Sequence, residues 1–332
     1  MTILAVEANS NTQALTHDRL LYTQFFGFNT VPFSLTPDPD YFYNHASTQE
    51  AINKLLFATR TGEGFVKVTG EVGSGKTLLC RKFLSMIESH YVTAYIPNPY
   101  MSPLSLLLAI ADELNIPYDD SPTLHGLLKA FTHFLIETYR TEKKTVVICM
   151  DEAHALPRPS LEVLRLLSNL ETPKRKLLQL VLFGQPELNT HLSQHTIRQL
   201  KQRISFSAHL SPLSTAETED YITHRLTIAG YQGARIFSAA ALRTIARASQ
   251  GIPRLINIIT HKSLIAAYAD GQRYITAKHV RLAIKDTESL DNKWRKESWW
   301  ERYRTYLYTV VISSTLTAAL AYLYRLYLST LN

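Results

Sequence analysis

A glycine-rich loop constrains the fold more than any other feature of this sequence. Residues 70–77 fit the pattern G-x-x-x-x-G-K-[ST], directly after the apolar run 65–69 and before the helical pattern 78–84. A loop that leaves a strand and opens a helix directs its backbone N–H groups at one point, which suits a polyphosphate. The alternative is a glycine-rich turn with a chance lysine, and at average residue usage the pattern arises by accident in roughly one such chain in a hundred.

Each residue type in this loop has a chemical role. The residues predicted to bind a nucleotide are Gly70, Glu71, Val72, Gly73, Ser74, Gly75, Lys76, Thr77 and Leu78. Glycines let the main chain approach closely, Lys76 would reach the β and γ phosphates, and the Thr77 hydroxyl would hold Mg²⁺. Lys76 is therefore expected to serve both binding and catalysis.

A second motif predicts hydrolysis. The continuous apolar run 145–150 is typical of a central parallel strand buried on both faces, and it ends in Asp151 and Glu152. Asp151 would hold Mg²⁺, directly or through water, while Glu152 would orient and deprotonate the attacking water. The alternative is a strand that ends in solvated acids. Residues 151–154 also match a helicase signature, but no other helicase element is visible, and His154 is expected to be a local hydrogen-bonding residue.

Three polar residues occur where contacts from outside the loop are expected. Gln185 follows the buried run 177–183 and would touch the γ phosphate or the attacking water, unless its turn only starts the next helix. Arg203 ends a basic helical segment and is either an arginine finger for a neighbouring subunit's nucleotide or a solvated arginine. Arg254 follows Pro253 on the first turn of a helix and would point at the nucleotide from a separate lid.

These segments in this order resemble the AAA+ ATPases, and more closely the general secretion pathway protein A type, a group that includes the ATPases of MSHA pilus biogenesis. The resemblance covers about residues 25–288. Its most specific parts are Phe26-Gly27-Phe28, 32–39, Gly64-Phe65, 184–188, 198–204 and 251–254. It implies Walker A at 70–77, Walker B at Asp151 and Glu152, a first sensor near Gln185, an arginine finger at Arg203 or Arg198, and a second sensor at Arg254. It also implies a hexamer or other ring with the nucleotide at subunit boundaries.

The order of elements predicts the domain organisation. Strand and helix patterns alternate to about residue 212, with one of the strands expected at 91–96, which argues for a mainly parallel sheet flanked by helices. Capping boxes at Ser47–Glu50 and Ser214–Glu217 predict helix starts. We expect a disordered stretch at 1–24, an α/β AAA+ ATPase domain at 25–212 whose aromatic and proline-rich start wraps the adenine, and an all-helical lid at 213–288. The predicted lid helices are 215–229, 238–248, 253–269 and 277–287.

The end of the sequence predicts a membrane anchor. Residues 305–324 carry no formal charge, and 20 residues at ~1.5 Å each give about 30 Å, the thickness of the hydrocarbon core. We expect a basic and aromatic linker at 289–304, a transmembrane helix at 305–325 and a short tail at 326–332, with positive-inside bias keeping the ATPase in the cytoplasm. Hydroxyl side chains make the run only moderately apolar, so a helix lying in the interface or bound to a partner is the alternative.

Composition limits the classes further. The two cysteines, Cys80 and Cys149, lie on the phosphate-loop helix and the Walker B strand, and buried free thiols in a reducing cytoplasm are expected. A net charge of +7 suggests acidic partner surfaces without identifying them. Secretion-type members continue into a periplasmic peptidoglycan-binding domain, whereas this sequence ends at Asn332, so direct peptidoglycan binding is not expected.

The expected function is that of an inner-membrane ATPase, single-pass, that uses ATP and Mg²⁺ to assemble or remodel an envelope machine such as a type II secretion system or a type IV pilus. Its expected partners are copies of itself, inner-membrane envelope-assembly proteins and the lipid bilayer. The alternative is a nucleic-acid-binding AAA+ ATPase of the transposition-helper or replication-initiator kind. Against it, residues 288–304 are too short for a winged-helix reader. A scaffold that binds nucleotide without hydrolysing it is a third possibility, which the paired acids disfavour.

Overall fold

A computed structural model describes residues 22–172, 175–193 and 198–287, together with Ser313. The strands are β1 Phe65–Gly70, β2 Tyr91–Ile96, β3 Thr145–Met150, β4 Glu171–Thr172, β5 Arg175–Lys176, β6 Leu178–Gly184 and β7 Ile204–Leu210. The helices are α1 Ala46–Thr61, α2 Lys76–Met86, α3 Pro103–Glu113, α4 Leu124–Glu142, α5 Arg158–Leu167, α6 Glu187–Leu192, α7 Arg198–Gln202, α8 Thr215–Ile228, α9 Ala239–Ser249, α10 Pro253–Ala269 and α11 Ala277–Lys285. Short 3₁₀ helices occupy Pro39–Tyr41 and Ala153–Ala155.

Five parallel strands form the central sheet, in the order β2-β3-β6-β1-β7. β4 and β5 form a separate antiparallel pair. β6 is buried along its whole length, as expected of a strand with helices on both faces. The predicted parallel sheet flanked by helices is confirmed. Because carboxyl ends of parallel strands meet at one edge, the segments that follow β1, β3 and β6 are neighbours there.

The two faces of the sheet have separate apolar cores. On one face, α3, α4 and α5 pack on Ile148 and Leu180, with Leu106, Phe131 and Leu164 among the buried side chains. On the other face, α1 and α2 pack on alternate strand residues, and this core contains Leu55, Leu79, Phe83, Val68 and Phe183. Successive strand residues face opposite sides of the sheet, so this alternation fixes which helices cover each face.

The helices α8 to α11 surround a third apolar core. The N-terminal aromatic segment, which the sequence groups with the α/β part, contributes Tyr22, Phe26, Phe28 and Phe33 to this core. The backbone N–H of Asn29 donates to the carbonyl of Ala229, 2.8 Å away, which ties the segment to the end of α8. The start of the described chain therefore packs on the helical part of the molecule.

The helix starts test the two predicted capping boxes. Ser214 caps α8 and exchanges hydrogen bonds with Glu217, so this box is confirmed. The box predicted at Ser47–Glu50 is wrong, because α1 begins at Ala46 with His45 as its N-cap and Thr48 as the reciprocal partner. The Ser47 hydroxyl instead accepts from the backbone N–H of Ser211, 3.2 Å away. The Ser47 side chain, which the local sequence pattern assigned to the helix cap, makes a long-range hydrogen bond instead.

Several predictions concern residues outside the described ranges. The disordered stretch at 1–24 is described only from residue 22, and the linker 289–304, the transmembrane helix 305–325 and the tail 326–332 are not described except at Ser313. Within the residues that are described, no helix combines the length and the apolar character needed to cross a membrane. The cysteines Cys80 and Cys149 are free and buried, as predicted.

Candidate active site

The phosphate loop connects β1 to α2 at the carboxyl edge of the sheet. Gly73 and Gly75 have left-handed backbone conformations, with φ of 79° and 95°, and Gly75 is the N-cap of α2. A Cβ on Gly73 would lie 2.6 Å from Cβ of Arg254, so only glycine fits between the loop and the lid. The Ser74 hydroxyl is buried and has no hydrogen-bond partner among the described residues. Backbone donors, the N-terminus of a helix and an unpartnered hydroxyl together suit a bound phosphate.

Lys76 is held over this loop by two backbone carbonyls. Its ammonium donates to the carbonyl oxygens of Gly70 and Glu71, at 2.8 and 2.9 Å, and the residue is only 5% exposed. Burial lowers the pKa of Lys76, while the carboxylates of Glu152 and Asp151 act in the opposite direction. The Lys76 ammonium is therefore held at the opening of the loop, where it has limited contact with water.

Asp151 lies at the end of β3 and joins it to the phosphate-loop helix. The Thr77 hydroxyl donates to Oδ2 of Asp151 at 2.5 Å, and the backbone N–H of Glu152 donates to Oδ1 at 2.9 Å. Asp151 is 2% exposed. The structure thus brings the two predicted metal ligands into direct contact, and one carboxylate with one hydroxyl is a donor set that suits Mg²⁺ when phosphates supply further oxygens.

Tyr95 is a member of this site that sequence reasoning missed. Its hydroxyl donates to Oδ2 of Asp151 at 3.4 Å, from the neighbouring strand β2. Burial, and then the charge of Asp151, raises the pKa of Tyr95 to about 12, so the phenol stays protonated and donates. The available signal is that Tyr95 comes one residue before the end of a predicted strand, but the pairing of β2 with β3 is not visible in the sequence.

Glu152 stands between two polar side chains. Its Oε2 lies 3.5 Å from Nε2 of Gln185 and 3.5 Å from Nδ1 of His154. The backbone of Glu152 is left-handed, with φ of 50°, which is a sparsely populated conformation found often at functional sites. The structure therefore places Gln185, from the end of β6, beside the acid predicted to be the base. His154 also accepts from the backbone N–H of Gln185 at 3.4 Å, a local hydrogen bond.

Arg203 lies away from this cleft. It directly precedes β7, whose carboxyl end pairs with Gly70, so it sits at the opposite edge of the sheet, roughly 20 Å along the strand. Its guanidinium donates to the carbonyl and the hydroxyl of Ser168, at 3.0 and 2.9 Å. The structure does not bring Arg203 to the nucleotide site of its own chain, and its role as a finger for a neighbouring subunit stays a prediction.

The lid contacts the phosphate loop through the first turn of α10. The backbone N–H of Arg254 donates to the carbonyl of Gly73 at 3.2 Å, and Arg254 lines the cleft with Lys76 and Thr77. Pro253 occupies the first position of the helix, as predicted. The first turn of α10 therefore positions Arg254, the predicted second sensor, against the phosphate loop.

The cleft between the loop and the lid has a volume of about 220 Å³. Its remaining wall comes from 34–38, the segment predicted to wrap the base, and from three lid residues that sequence reasoning missed, Tyr221, Arg225 and Asn257. These three polar residues lie inside segments with an ordinary helical sequence pattern, so nothing in the neighbouring sequence marks them as part of a site.

Comparisons with known proteins agree with this geometry. A family described as AAA domain matches residues 59–192. General secretion pathway protein A of Aeromonas hydrophila is 42% identical over 281 residues, which cover 85% of this chain and 50% of that protein. The chain thus spans half the length of the curated relative that it matches.

Solved structures share the fold at low identity. Cdc6p from Pyrobaculum aerophilum has a TM-score of 0.60 at 19% identity, covering 77% of this chain and 70% of that chain. The Aeropyrum pernix ORC2 protein has a TM-score of 0.56 at 16% identity, covering 76% and 72%. Drosophila ORC bound to DNA has a TM-score of 0.54 at 19% identity, covering 80% and 65%. These likenesses concern the fold alone. With the phosphate loop, the paired acids and the extended identity to the Aeromonas protein, the chain belongs to the AAA+ ATPases of the general secretion pathway protein A type.

Proposed function

We propose that the chain binds ATP with Mg²⁺ in this cleft and hydrolyses it. One observation carries the proposal: the Thr77 hydroxyl and the Asp151 carboxylate meet at the edge of the sheet where Lys76 and Glu152 also lie. A solvated strand end, the alternative for the acids, does not account for a 2% exposed aspartate in contact with the phosphate-loop helix.

The residues divide the chemistry between them. Lys76 and the loop N–H groups would bind the phosphates, while Thr77 and Asp151 would hold Mg²⁺. When bound, Mg²⁺ would neutralise charge on the phosphate oxygens. Glu152 would accept a proton from the attacking water, and Gln185 would orient the Glu152 carboxylate and that water. Arg254 would add a positive charge from the lid.

The contact between Arg254 and Gly73 also provides a means of coupling. The lid helices and the α/β sheet have separate cores, so the lid can move against the loop. A change in phosphate charge at the loop acts directly on Arg254, and hydrolysis would thereby change the position of the lid. Arg203 would extend this coupling to the next subunit of a ring by completing its neighbour's site.

The work performed is proposed from the family. The relative is named for general secretion, and we propose that this chain assembles or remodels an envelope machine of the secretion or pilus kind, in contact with inner-membrane partners. Residues 305–325 would anchor it in the inner membrane, with the ATPase in the cytoplasm. Membrane fractionation of the chain with and without residues 305–332 tests the anchor, which is wrong if both forms stay in the soluble fraction.

The Glu152→Gln variant tests hydrolysis. It removes the base but keeps size and hydrogen bonding, so we expect ATP binding to remain while turnover falls by about 100-fold or more. Glu88→Gln is the matched control, because Glu88 is exposed and its ion-pair partners among the described residues, Arg60 and His90, also lie at the surface. Phosphate release and binding of a fluorescent ATP analogue are the measurements. Unchanged turnover in Glu152→Gln would refute the base assignment.

The same assay separates the alternative function. Adding duplex or single-stranded DNA to the unmodified chain should leave turnover unchanged. DNA-stimulated turnover that falls steeply with salt would favour the nucleic-acid-binding alternative.

A further inference from the structure

A relay of three buried polar side chains lines the lid side of the cleft. Nη1 of Arg225 donates to the Tyr221 hydroxyl at 3.0 Å, and that hydroxyl donates to Oδ1 of Asn257 at 3.0 Å. Arg225 and Tyr221 are both 5% exposed and Asn257 is 6% exposed. All three line the cleft that Lys76 and Thr77 also line.

The direction of each hydrogen bond in this relay is fixed. Arginine carries donors only, so the Tyr221 oxygen must accept from Arg225 and must direct its own proton elsewhere. The partner that it reaches is Asn257, whose Oδ1 must then be the accepting atom. The Asn257 carboxamide is thereby oriented with its oxygen toward Tyr221 and its Nδ2 amide on the other side.

Arg225 is itself held firmly. Its Nε donates to the carbonyl of Pro32 at 2.6 Å, its Nη2 lies 3.4 Å from the carbonyl of Ser34, and its guanidinium stacks 4.5 Å from the ring centre of Tyr41. These contacts tie α8 to the segment that enters the cleft wall at Ser34. The relay therefore starts from an anchored cation and is preorganised.

Nδ2 of Asn257 makes no hydrogen bond to any residue in the part of the chain that the structure describes, although Asn257 is more than nine-tenths buried. The Nδ2 atom itself keeps some contact with solvent and Asn257 lines the cleft, so a ligand bound there could accept a hydrogen bond from it. Asn257 comes three residues after Arg254 on α10, which puts both side chains on one helix face. Arg254 contacts the phosphate loop, and Asn257 lies further along the same wall of the cleft.

We propose that Asn257 is the base-reading residue of the nucleotide site, and that its Nδ2 donates to a ring nitrogen of adenine. This inference rests on the proposed ATP binding and adds the group that recognises the base. The ring nitrogens N1, N3 and N7 of adenine are all acceptors, whereas N1 of guanine carries a proton. Guanine also presents N3 and N7 as acceptors, so a fixed amide donor can bind any ring nitrogen of adenine but selects adenine over guanine only through N1. Tyr221 and Arg225 act as positioning residues.

Deaza analogues of ATP test the proposal one atom at a time. Each of 1-deaza-, 3-deaza- and 7-deaza-ATP replaces one acceptor nitrogen by C–H. We expect the unmodified chain to bind one of the three about 10-fold more weakly than ATP, as the loss of one buried hydrogen bond predicts. Asn257→Ala should bind ATP and that same analogue equally. Asn257→Asp keeps the size and the acceptor for Tyr221, so it provides the same test if the alanine variant does not fold.

Tyr221→Phe supplies a second readout, because it frees the Asn257 amide to rotate. This variant should discriminate less strongly than the unmodified chain between ATP and the deaza analogues. The analogue that it binds most weakly should stay the same. The proposal is overturned if the unmodified chain binds all three analogues like ATP, or if the discrimination persists in Asn257→Ala and Asn257→Asp. Failure of the unmodified chain to bind ATP at all would refute the proposed function, whereas equal binding of ATP and the analogues refutes only the role of Asn257.

Discussion

Gly251 offers a sharp test of how the lid is set on the phosphate loop. It comes two residues before α10, has a left-handed φ of 72°, and a Cβ built on it would lie 2.0 Å from the carbonyl oxygen and 2.7 Å from the backbone nitrogen of Leu213. Leu213 also donates a hydrogen bond to the Gly251 carbonyl at 2.9 Å. The added methyl group of Gly251→Ala would therefore push the backbone at residue 251 away from the backbone of Leu213. This displacement occurs next to the helix that positions Arg254 and Asn257.

The magnitude follows from a matched glycine in the same lid. Gly271 also has a left-handed φ, 64°, but a Cβ there meets nothing within 4 Å. Gly271→Ala should cost only the left-handed strain, about 1–2 kcal/mol, less the gain from a stiffer unfolded chain. Gly251→Ala carries the same two contributions, and it adds a lost hydrogen bond and forced repacking. We expect it to be about 2–4 kcal/mol less stable than Gly271→Ala.

Thermal unfolding by circular dichroism and titration with a fluorescent ATP analogue measure the two consequences. For a chain of 332 residues, the difference in stability corresponds to a melting temperature lower by roughly 3–6 °C. ATP affinity should fall by about 10-fold in Gly251→Ala, since α10 is displaced from the loop, and stay unchanged in Gly271→Ala. Equal melting temperatures and equal ATP affinities for the two variants would refute the argument.

Two further predictions concern the hydrogen bonds of Asp151 and the N-cap of α1. Tyr95→Phe removes one hydrogen bond to Asp151 but leaves Thr77 in place, so the Mg²⁺ concentration for half-maximal turnover should change only about 2–3-fold; a change beyond about 10-fold would show that Tyr95 does more than position the carboxylate. Burial lowers the pKa of His45 below its usual 6.5, so the free energy of unfolding should be full above that value and fall as pH drops from 7 toward 5.5. Asn also caps helices well, so His45→Asn is a suitable control. Urea titrations at pH 7 and pH 5.5 should show a smaller decrease in the free energy of unfolding for His45→Asn than for the unmodified chain. An equal decrease would remove His45 as the cause.

Much of the fold and part of the site follow from local sequence. The predicted strand at 91–96 has the observed bounds, and the predicted lid helices agree with α8 to α11 within two residues at each end. The contact of Thr77 with Asp151 follows once both are placed at the carboxyl edge of one parallel sheet. These features depend on periodicity, caps and motif spacing, which are all properties of short segments.

The features that were missed depend on distant parts of the chain. Arg225 reaches Pro32 across 193 residues, and the Tyr221 hydroxyl reaches Asn257 across 36 residues. Neither pair has a spacing rule, because the contact exists only after the N-terminal segment and two lid helices have packed around one core. The same reason explains Ser47, whose hydroxyl binds Ser211 instead of capping its own helix.

The sequence by itself determined a phosphate loop behind a buried strand, a pair of acids at the end of a second strand and a helical unit that begins with a capping box. Each is encoded in consecutive residues, since backbone conformation and burial pattern are local. Only the tertiary structure decided that Tyr95 supports Asp151, and that Arg203 lies at the edge of the sheet opposite the cleft. It alone also decided that the amide nitrogen of Asn257 is directed away from Tyr221. Those assignments depend on which surfaces pack together, and packing is determined by the whole chain.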